Sequence, residues 1–328
     1  MKLEDIGFYS LSDERAKNAS VHSKMMRCEL IILEQCNFKC PYCRGLDASI
    51  YGNRKIKQLS LQEIKHNIDL WCKNVPLENI RFSGGEPTLH KDIKEIISYA
   101  AHKGIKRIAI STNGSNSIEL YKELVERGCN DFSISLDACC AEIGDKMAGN
   151  VRNSWHKVTN NIKEISKLCY VTVGVVLLED NAESVVDIVH YAHDLGVSDI
   201  RIISASQYNK NIKYLENIRQ EILDAHPILK FRVHNFLSGI NVRGLSENDP
   251  KRCAIVLDDS VIAGNFHFPC VIYLREKGPS IGMVSNNMRA ERKQWSDTHN
   301  VLKDEICKKN CLDVCRNYNT KYQEFHKS

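Results

Sequence analysis

Residues 36 to 43 read Cys-Asn-Phe-Lys-Cys-Pro-Tyr-Cys, which sets Cys36, Cys40 and Cys43 on one short loop behind an apolar run. Three thiolates that close together suit a metal. Four would complete a zinc tetrahedron or an ordinary iron-sulfur cluster, whereas three leave one metal position open to another ligand, and an open iron is a place for chemistry. A second group of thiols lies near the other end of the chain: Cys253, Cys270, Cys307, Cys311 and Cys315, the last three spaced C-x3-C-x3-C. Five cysteines in that short a stretch exceed what packing uses. The other six of the fourteen, Cys28, Cys72, Cys129, Cys139, Cys140 and Cys169, are by default small buried hydrophobes.

The spacing C-x3-C-x2-C at the end of the first predicted strand is followed in order by Gly84-Gly85-Glu86-Pro87 and Ser111-Thr112-Asn113-Gly114. Together these stretches resemble the signature of the radical S-adenosylmethionine (radical SAM) enzymes. The resemblance implies that the three cysteines hold a 4Fe-4S cluster whose fourth iron is chelated by the amino and carboxylate groups of SAM. It implies one-electron cleavage of SAM to a 5'-deoxyadenosyl radical, supplied by a flavodoxin- or ferredoxin-type donor. It further implies that Gly84, Gly85 and Glu86 surround the methionyl amino group, largely through backbone, that Ser111, Asn113 and Ser135 face the ribose or carboxylate, and that Tyr42 lies near the adenine. The competing reading of the same residues is a structural zinc loop or buried thiols, with the glycines making a plain turn.

The C-terminal cysteines, with a hairpin at Gly264-Asn265 between the first two, resemble the SPASM/twitch extensions of the same enzymes. A full SPASM domain takes seven cysteines for two clusters. Five imply one auxiliary 4Fe-4S cluster, with Cys253, Cys270 and Cys315 as ligands and the fourth drawn from Cys307 or Cys311. A zinc ribbon would use the same thiolate chemistry.

Those residues need a scaffold. Strand-length apolar runs are predicted at 29–33, 79–83, 107–111, 131–136, 170–177 and 199–203, alternating with helices at 61–72, 92–103, 117–127, 155–168 and 183–195. Six such strand-helix units predict a parallel sheet buried on both faces. Parallel barrels carry their chemistry at the C-terminal strand ends, where all three motifs fall. The fold expected is therefore α/β, a partial (βα)6 radical SAM barrel followed by a small SPASM/twitch-like domain. Its parts would be a lead-in (1–27), the barrel (28–235), a Gly/Asn/Pro-bearing linker (236–250) and the auxiliary unit (251–328). A further helix is predicted at 213–225.

Lys+Arg 45 against Asp+Glu 41 gives a net charge of only +4 over 328 residues, with no long single-sign run, so nucleic acid is not an expected partner. With no apolar leader and no stretch long enough to span a bilayer, the expected location is the cytoplasm and no membrane partner is expected. Clustered cysteines fit metal ligation in a reducing compartment.

Asp137-Ala138-Cys139-Cys140 closes the fourth predicted strand. Cys139 or Cys140 there is a candidate hydrogen-atom donor to a substrate radical, against the alternative of two packed thiols. Glu179, Asp180, Asn181, Ser204, Ser206 and Gln207 are candidate substrate contacts at later strand ends, and Arg152, Arg201 and Arg275 pair either with an acidic substrate or in salt bridges. The expected function is hydrogen abstraction from a small polar metabolite (sugar, aminocyclitol or nucleotide), leading to oxidation, epimerisation or rearrangement. The alternatives are a peptide maturase and, in another class, a non-catalytic iron-sulfur or zinc binding protein.

Overall fold

The computed structural model describes residues 12–45, 48–51, 55, 57–179, 181–204 and 213–326. A short helix, α1 (Asp13–Asn18), leads into β1 (Arg27–Leu33), and then strand and helix alternate: α2 (Leu61–Trp71), β2 (Asn79–Gly84), α3 (Ile93–His102), β3 (Arg107–Thr112), α4 (Ile118–Glu126) and β4 (Asp131–Ser135). Two helices, α5 (Ala141–Met147) and α6 (Ser154–Ile165), precede β5 (Tyr170–Leu177), α7 (Val185–Asp194) and β6 (Asp199–Ser204). Strands β1 to β6 are parallel neighbours in chain order, the partial barrel expected from the alternation.

Alternate residues of each strand face opposite sides. Leu30, Phe82, Ile110, Phe132, Val173 and Ile202 bury themselves under the helices, in a core shared with Ile64, Ile97, Leu124, Ile162 and Ile188. The other set, including Arg27, Glu29, Arg81, Ser111 and Arg201, faces the concave side. Helix starts follow local chemistry: Ser60 and Glu63 form a capping box on α2, and Ser117 caps α4. Helix ends use Gly104, Gly128 and Gly196 at φ 74°, 110° and 79°.

Beyond β6 lie α8 (Gln220–Ala225) and α9 (Pro227–Leu237), then β7 (Asp259–Ala263), β8 (Phe266–Phe268), α10 (Val271–Arg275), β9 (Gly282–Met283), α11 (Met288–Thr298), α12 (Glu305–Asn310) and α13 (Asp313–Phe325). The helix expected at 213–225 is a 3-10 turn over 213–217 followed by α8. Pro227 opens α9, since proline at the first helical position lacks only an N–H that has no partner there.

The stretch read as a linker, 236–250, is not a free connector. It begins inside α9, buries Val242 in the main core, and is fastened by Gly244 N–H to Cys311 O (2.9 Å) and Leu245 N–H to Lys308 O (2.8 Å). Nor does the sheet stop there. β7 pairs in parallel with β1 from Arg27↔Asp259 to Ile31↔Ala263, and the Gly264-Asn265 hairpin then adds β8 and β9 antiparallel. The lead-in helix α1 packs on α13, and Arg15 forms a buried ion pair with Asp258 at 2.5 Å. Among the described residues no helix is long and apolar enough to cross a membrane.

Candidate active site

β1 delivers the chain to Cys36, Cys40 and Cys43, which lie at the C-terminal mouth of the sheet with Cys36 and Cys43 exposed and Cys40 half-buried. The loop is held from several sides. Cys43 N–H bonds Cys40 O (3.0 Å) and Lys39 N–H bonds Ala148 O (3.0 Å) behind α5. Asn113 Nδ2 donates to Asn37 Oδ1 (2.9 Å) and lies 3.8 Å from the Cys36 sulfur. Asn37 in turn donates to Ser115 (2.8 Å).

Glycine is required at 84 and 85 because the motif lies directly on this loop. A Cβ on Gly84, at φ 141°, would stand 2.2 Å from Leu33 O, and one on Gly85 would stand 2.2 Å from Gln35 O. With those atoms missing, Gly85 N–H reaches Leu33 O (2.9 Å) and Glu86 N–H reaches Gln35 O (2.8 Å). The close approach expected toward a ligand is thus spent on the chain's own backbone.

The Glu86 side chain is buried and fully engaged. Oε1 accepts from Thr88 N–H (3.1 Å), Thr88 Oγ1 (2.6 Å) and Thr112 Oγ1 (2.7 Å), while Oε2 accepts from Asn113 N–H (2.6 Å). Burial pushes its carboxyl up despite these donors. Glu86 therefore clamps the Ser-Thr-Asn-Gly turn to the Gly-Gly-Glu-Pro turn.

Tyr42, Asn113 and Ser135 line one hollow with Cys40, Phe38 and Trp155. Tyr42 donates its hydroxyl to Asp137 at 2.5 Å, tying the cysteine loop to the end of β4. Burial raises the Asp137 carboxyl to about 6. Ser111 is elsewhere: its hydroxyl accepts from Arg81 (3.0 Å) in the concave interior. Cys139 packs against the main core and Cys140 stands at the N-cap position of α5 without a side-chain capping bond, and neither lines this hollow or the interior. Asn181 is buried and bonds Asp137 O and Val176 O. Asp180, Ser206 and Gln207 lie outside the described residues.

The interior is a cavity of about 330 Å³ between the barrel strands and the C-terminal region. Six arginines reach it, Arg15, Arg27, Arg81, Arg201, Arg232 and Arg243, against the carboxylates of Glu29 and Asp259. Arg27 pairs with Glu29 (2.5 Å), Arg81 with Asp131 (3.2 Å) and Arg232 with Asp313 (2.6 Å). Arg243 donates Nε to Ser204 O (2.8 Å), while its Nη1 is buried without a partner. Arg275, expected to pair with a carboxylate, donates to Gly84 O (2.9 Å) and Gly45 O (3.1 Å), and Arg44 pairs with Glu276. Sequence reasoning missed this cavity although its signal was present: Arg27, Arg81 and Arg201 are cations inside strands that a sheet covered on both faces would keep apolar.

Cys270 and Cys315 stand on the far wall of the cavity. Behind them all five C-terminal cysteines line one hollow of about 50 Å³ with Tyr273, Trp295 and Asn319. Burial pushes the Cys253 and Cys270 thiols up to about 11 and about 12, and these are groups that release their protons to a bound cation. Backbone N–H of Tyr273 points at the Cys270 sulfur (3.4 Å) and Asn319 Nδ2 at that of Cys253 (3.8 Å). Among the described residues, neither cysteine group draws three ligand atoms within 4.8 Å of one another, the spacing expected around a single zinc ion. Both donor sets fit iron-sulfur clusters: free thiols, no disulfide, and two separate groups of three and five.

Residues 30–192 match the radical SAM superfamily. The chain is 33% identical over 162 residues to the GTP 3',8-cyclase of Vibrio parahaemolyticus serotype O3:K6 (strain RIMD 2210633), a match that covers 48% of either protein. It spans about half the length of the curated relatives it matches. Among solved structures it is similar to Streptococcus suis SuiB bound to the precursor peptide SuiA, with TM-score 0.60 and 14% identity over 94% of this chain and 79% of that one. It is similar also to anSMEcpe with bound AdoMet, with TM-score 0.57 and 14% identity over 92% and 96%. At such identity the likeness is one of fold. The motif order, the parallel sheet that presents it and the matched domain agree that this chain belongs to the radical SAM superfamily and is an enzyme whose cofactors are a 4Fe-4S cluster and S-adenosylmethionine.

Proposed function

We propose that the enzyme takes a hydrogen atom from a small anionic metabolite, a nucleoside triphosphate being the leading candidate, and so starts an oxidation or rearrangement of it. The observation that carries this reading is the interior cavity, where six guanidinium groups meet two lining carboxylates. Arginine forks match phosphate and carboxylate geometry, and about 330 Å³ is within the range of small-molecule sites. The nucleotide substrate of the GTP 3',8-cyclases that this chain resembles supports the same class.

In this reading residues 28–235 handle SAM and residues 251–328 carry the auxiliary cluster. Cys36, Cys40 and Cys43 hold the first cluster and Cys253, Cys270 and Cys315 are among the ligands of the second, with Cys307 and Cys311 beside them. When bound, the first cluster and SAM supply a 5'-deoxyadenosyl radical. The chain's own residues do the placing. Glu86 and Asn113 fix the turn beside Cys36, Tyr42 and Ser135 shape the hollow next to Cys40, and Gly84 and Gly85 join that turn to the cysteine loop. The arginines hold the substrate between the two thiol groups, where the protein excludes water. A flavodoxin- or ferredoxin-type protein is the expected electron source.

Anaerobically reconstituted enzyme with reductant and SAM is the test, offered nucleoside triphosphates, nucleosides, amino sugars and peptides in parallel. A triphosphate is expected to stimulate 5'-deoxyadenosine formation and to pass deuterium to it from one labelled carbon. Stimulation by a neutral sugar or a peptide, with none by any nucleotide, refutes the reading.

A further inference from the structure

The five C-terminal thiols are one more than a four-iron cluster takes, and the surplus one has company of its own. Cys307 is on the first turn of α12, capped by Asp304, whose Oδ1 accepts Cys307 N–H at 2.8 Å. The ligand atoms of His299, Asp304 and Cys307 lie within 4.8 Å of one another, the one such set among the described residues. His299 Nε2 comes within 3.0 Å of Asp304 Oδ2 but is buried with no hydrogen-bond partner. The ring is fixed by stacking on Trp295 (4.2 Å between centroids, 17°), and Tyr273 donates its hydroxyl to Asp304 Oδ2 (2.8 Å). Outer groups of this kind orient ligands in metal sites. Cys311, by contrast, directs its thiol at Leu312 O (3.8 Å) and lines the hollow shared with Cys253, Cys270 and Cys315.

We propose that Cys307 stands outside the auxiliary cluster and forms, with His299 and Asp304, a separate site for a divalent cation of the zinc class, leaving Cys253, Cys270, Cys311 and Cys315 as the four cluster ligands. One nitrogen, one oxygen and one sulfur suit a borderline cation such as Zn²⁺, with a fourth position left to water. The site joins the end of α11 to the start of α12 and so steadies the turn that leads the chain to Cys311 and Cys315. Its cluster half rests on the auxiliary cluster proposed above; its cation half does not.

The test is metal analysis of the full, cluster-loaded chain titrated with Zn²⁺, alongside the variants Cys307→Ser, His299→Ala and Cys311→Ser. The parent is expected to bind one zinc beyond its iron. Cys307→Ser and His299→Ala should each lose that zinc, with affinity down at least about 10-fold, and keep all their iron. Cys311→Ser should keep the zinc and lose about four irons. No zinc uptake by the parent overturns the cation site, and loss of iron from Cys307→Ser with retention in Cys311→Ser overturns the division of ligands. A parent with only the first cluster's iron refutes the auxiliary cluster and the division with it, while zinc loss from His299→Ala still upholds the cation site.

Discussion

Among the described residues Arg243 reaches the cavity with no carboxylate beside it. Burial, with Arg44 and Arg232 nearby, pulls its pKa down to about 10. The residue is 8% exposed and its Nη1 has no hydrogen-bond partner, so in the proposed function it is the group that takes an acceptor entering the cavity. Arg243→Met keeps much of the stem and removes the charge. A hydrogen bond to a charged group contributes about 1.5–3 kcal/mol, and each 1.4 kcal/mol is about tenfold in affinity, so a phosphorylated ligand should bind roughly 10- to 150-fold more weakly. The folded protein meanwhile loses a buried cation that has no carboxylate beside it, together with one hydrogen bond to Ser204 O, so its Tm should stay nearly level. Arg232→Met makes the contrast. It strands Asp313 in the interior with Asn235 at 2.6 Å as its remaining side-chain donor, and breaking such a pair costs about 3–5 kcal/mol. Equilibrium binding of a nucleoside triphosphate and thermal melts of the same samples read both effects. If Arg243→Met melts as early as Arg232→Met and binds the nucleotide as the parent does, Arg243 is structural and the anion reading loses its main support.

Gly85→Ala places a methyl 2.2 Å from Gln35 O and 2.3 Å from Glu34 O. It should cost about 1–3 kcal/mol or more and strip iron from the first cluster, while Gly196→Ala, with nothing within 4 Å of its added Cβ, leaves the iron intact. Glu86→Gln replaces an acceptor with an NH2 group facing either Asn113 N–H or the threonine donors, so a fall of about 1–3 kcal/mol is expected in chemical denaturation. Asp199 accepts N–H bonds from Ile228 and Leu229 at the start of α9, yet burial holds its carboxyl up at about 6. Because the folded form keeps the proton longer than the unfolded one, Asp199 favours folding below about pH 4 and that advantage is lost as pH rises through about 6. The difference in stability between the parent and Asp199→Asn should therefore change across this window and stay flat above it, as pH-dependent denaturant melts would show.

The strands were legible to within a residue or two because parallel strands covered by helices read as unbroken apolar runs, as Tyr170–Leu177 does. The first motifs were legible because cysteine spacing and paired glycines are local. What eluded reading was whatever depends on distant partners. Residues 236–250 look like a connector, since nothing local announces that Gly244 and Leu245 bond to the chain around 308–311. α11 is mostly polar, and its buried Arg292 has as its purpose the carbonyls of Val256 (2.8 Å) and Phe268 (2.9 Å), which no pattern within the helix reveals. Ser111 follows the apolar run as Asn113 does, but its strand position turns it to the arginine side. Arg15 lies in a stretch that reads as featureless, and its worth appears only against Asp258.

The pairing of β7 with β1 makes the tail of the chain a stave of the barrel. A fragment ending before residue 251 would strip one flank of β1 of its hydrogen-bonding mate from Arg27 to Ile31, and would leave Arg15 charged and stranded. Such a bared flank invites another copy to zip on. Versions shortened in this way should accordingly clump more readily than the 328-residue chain.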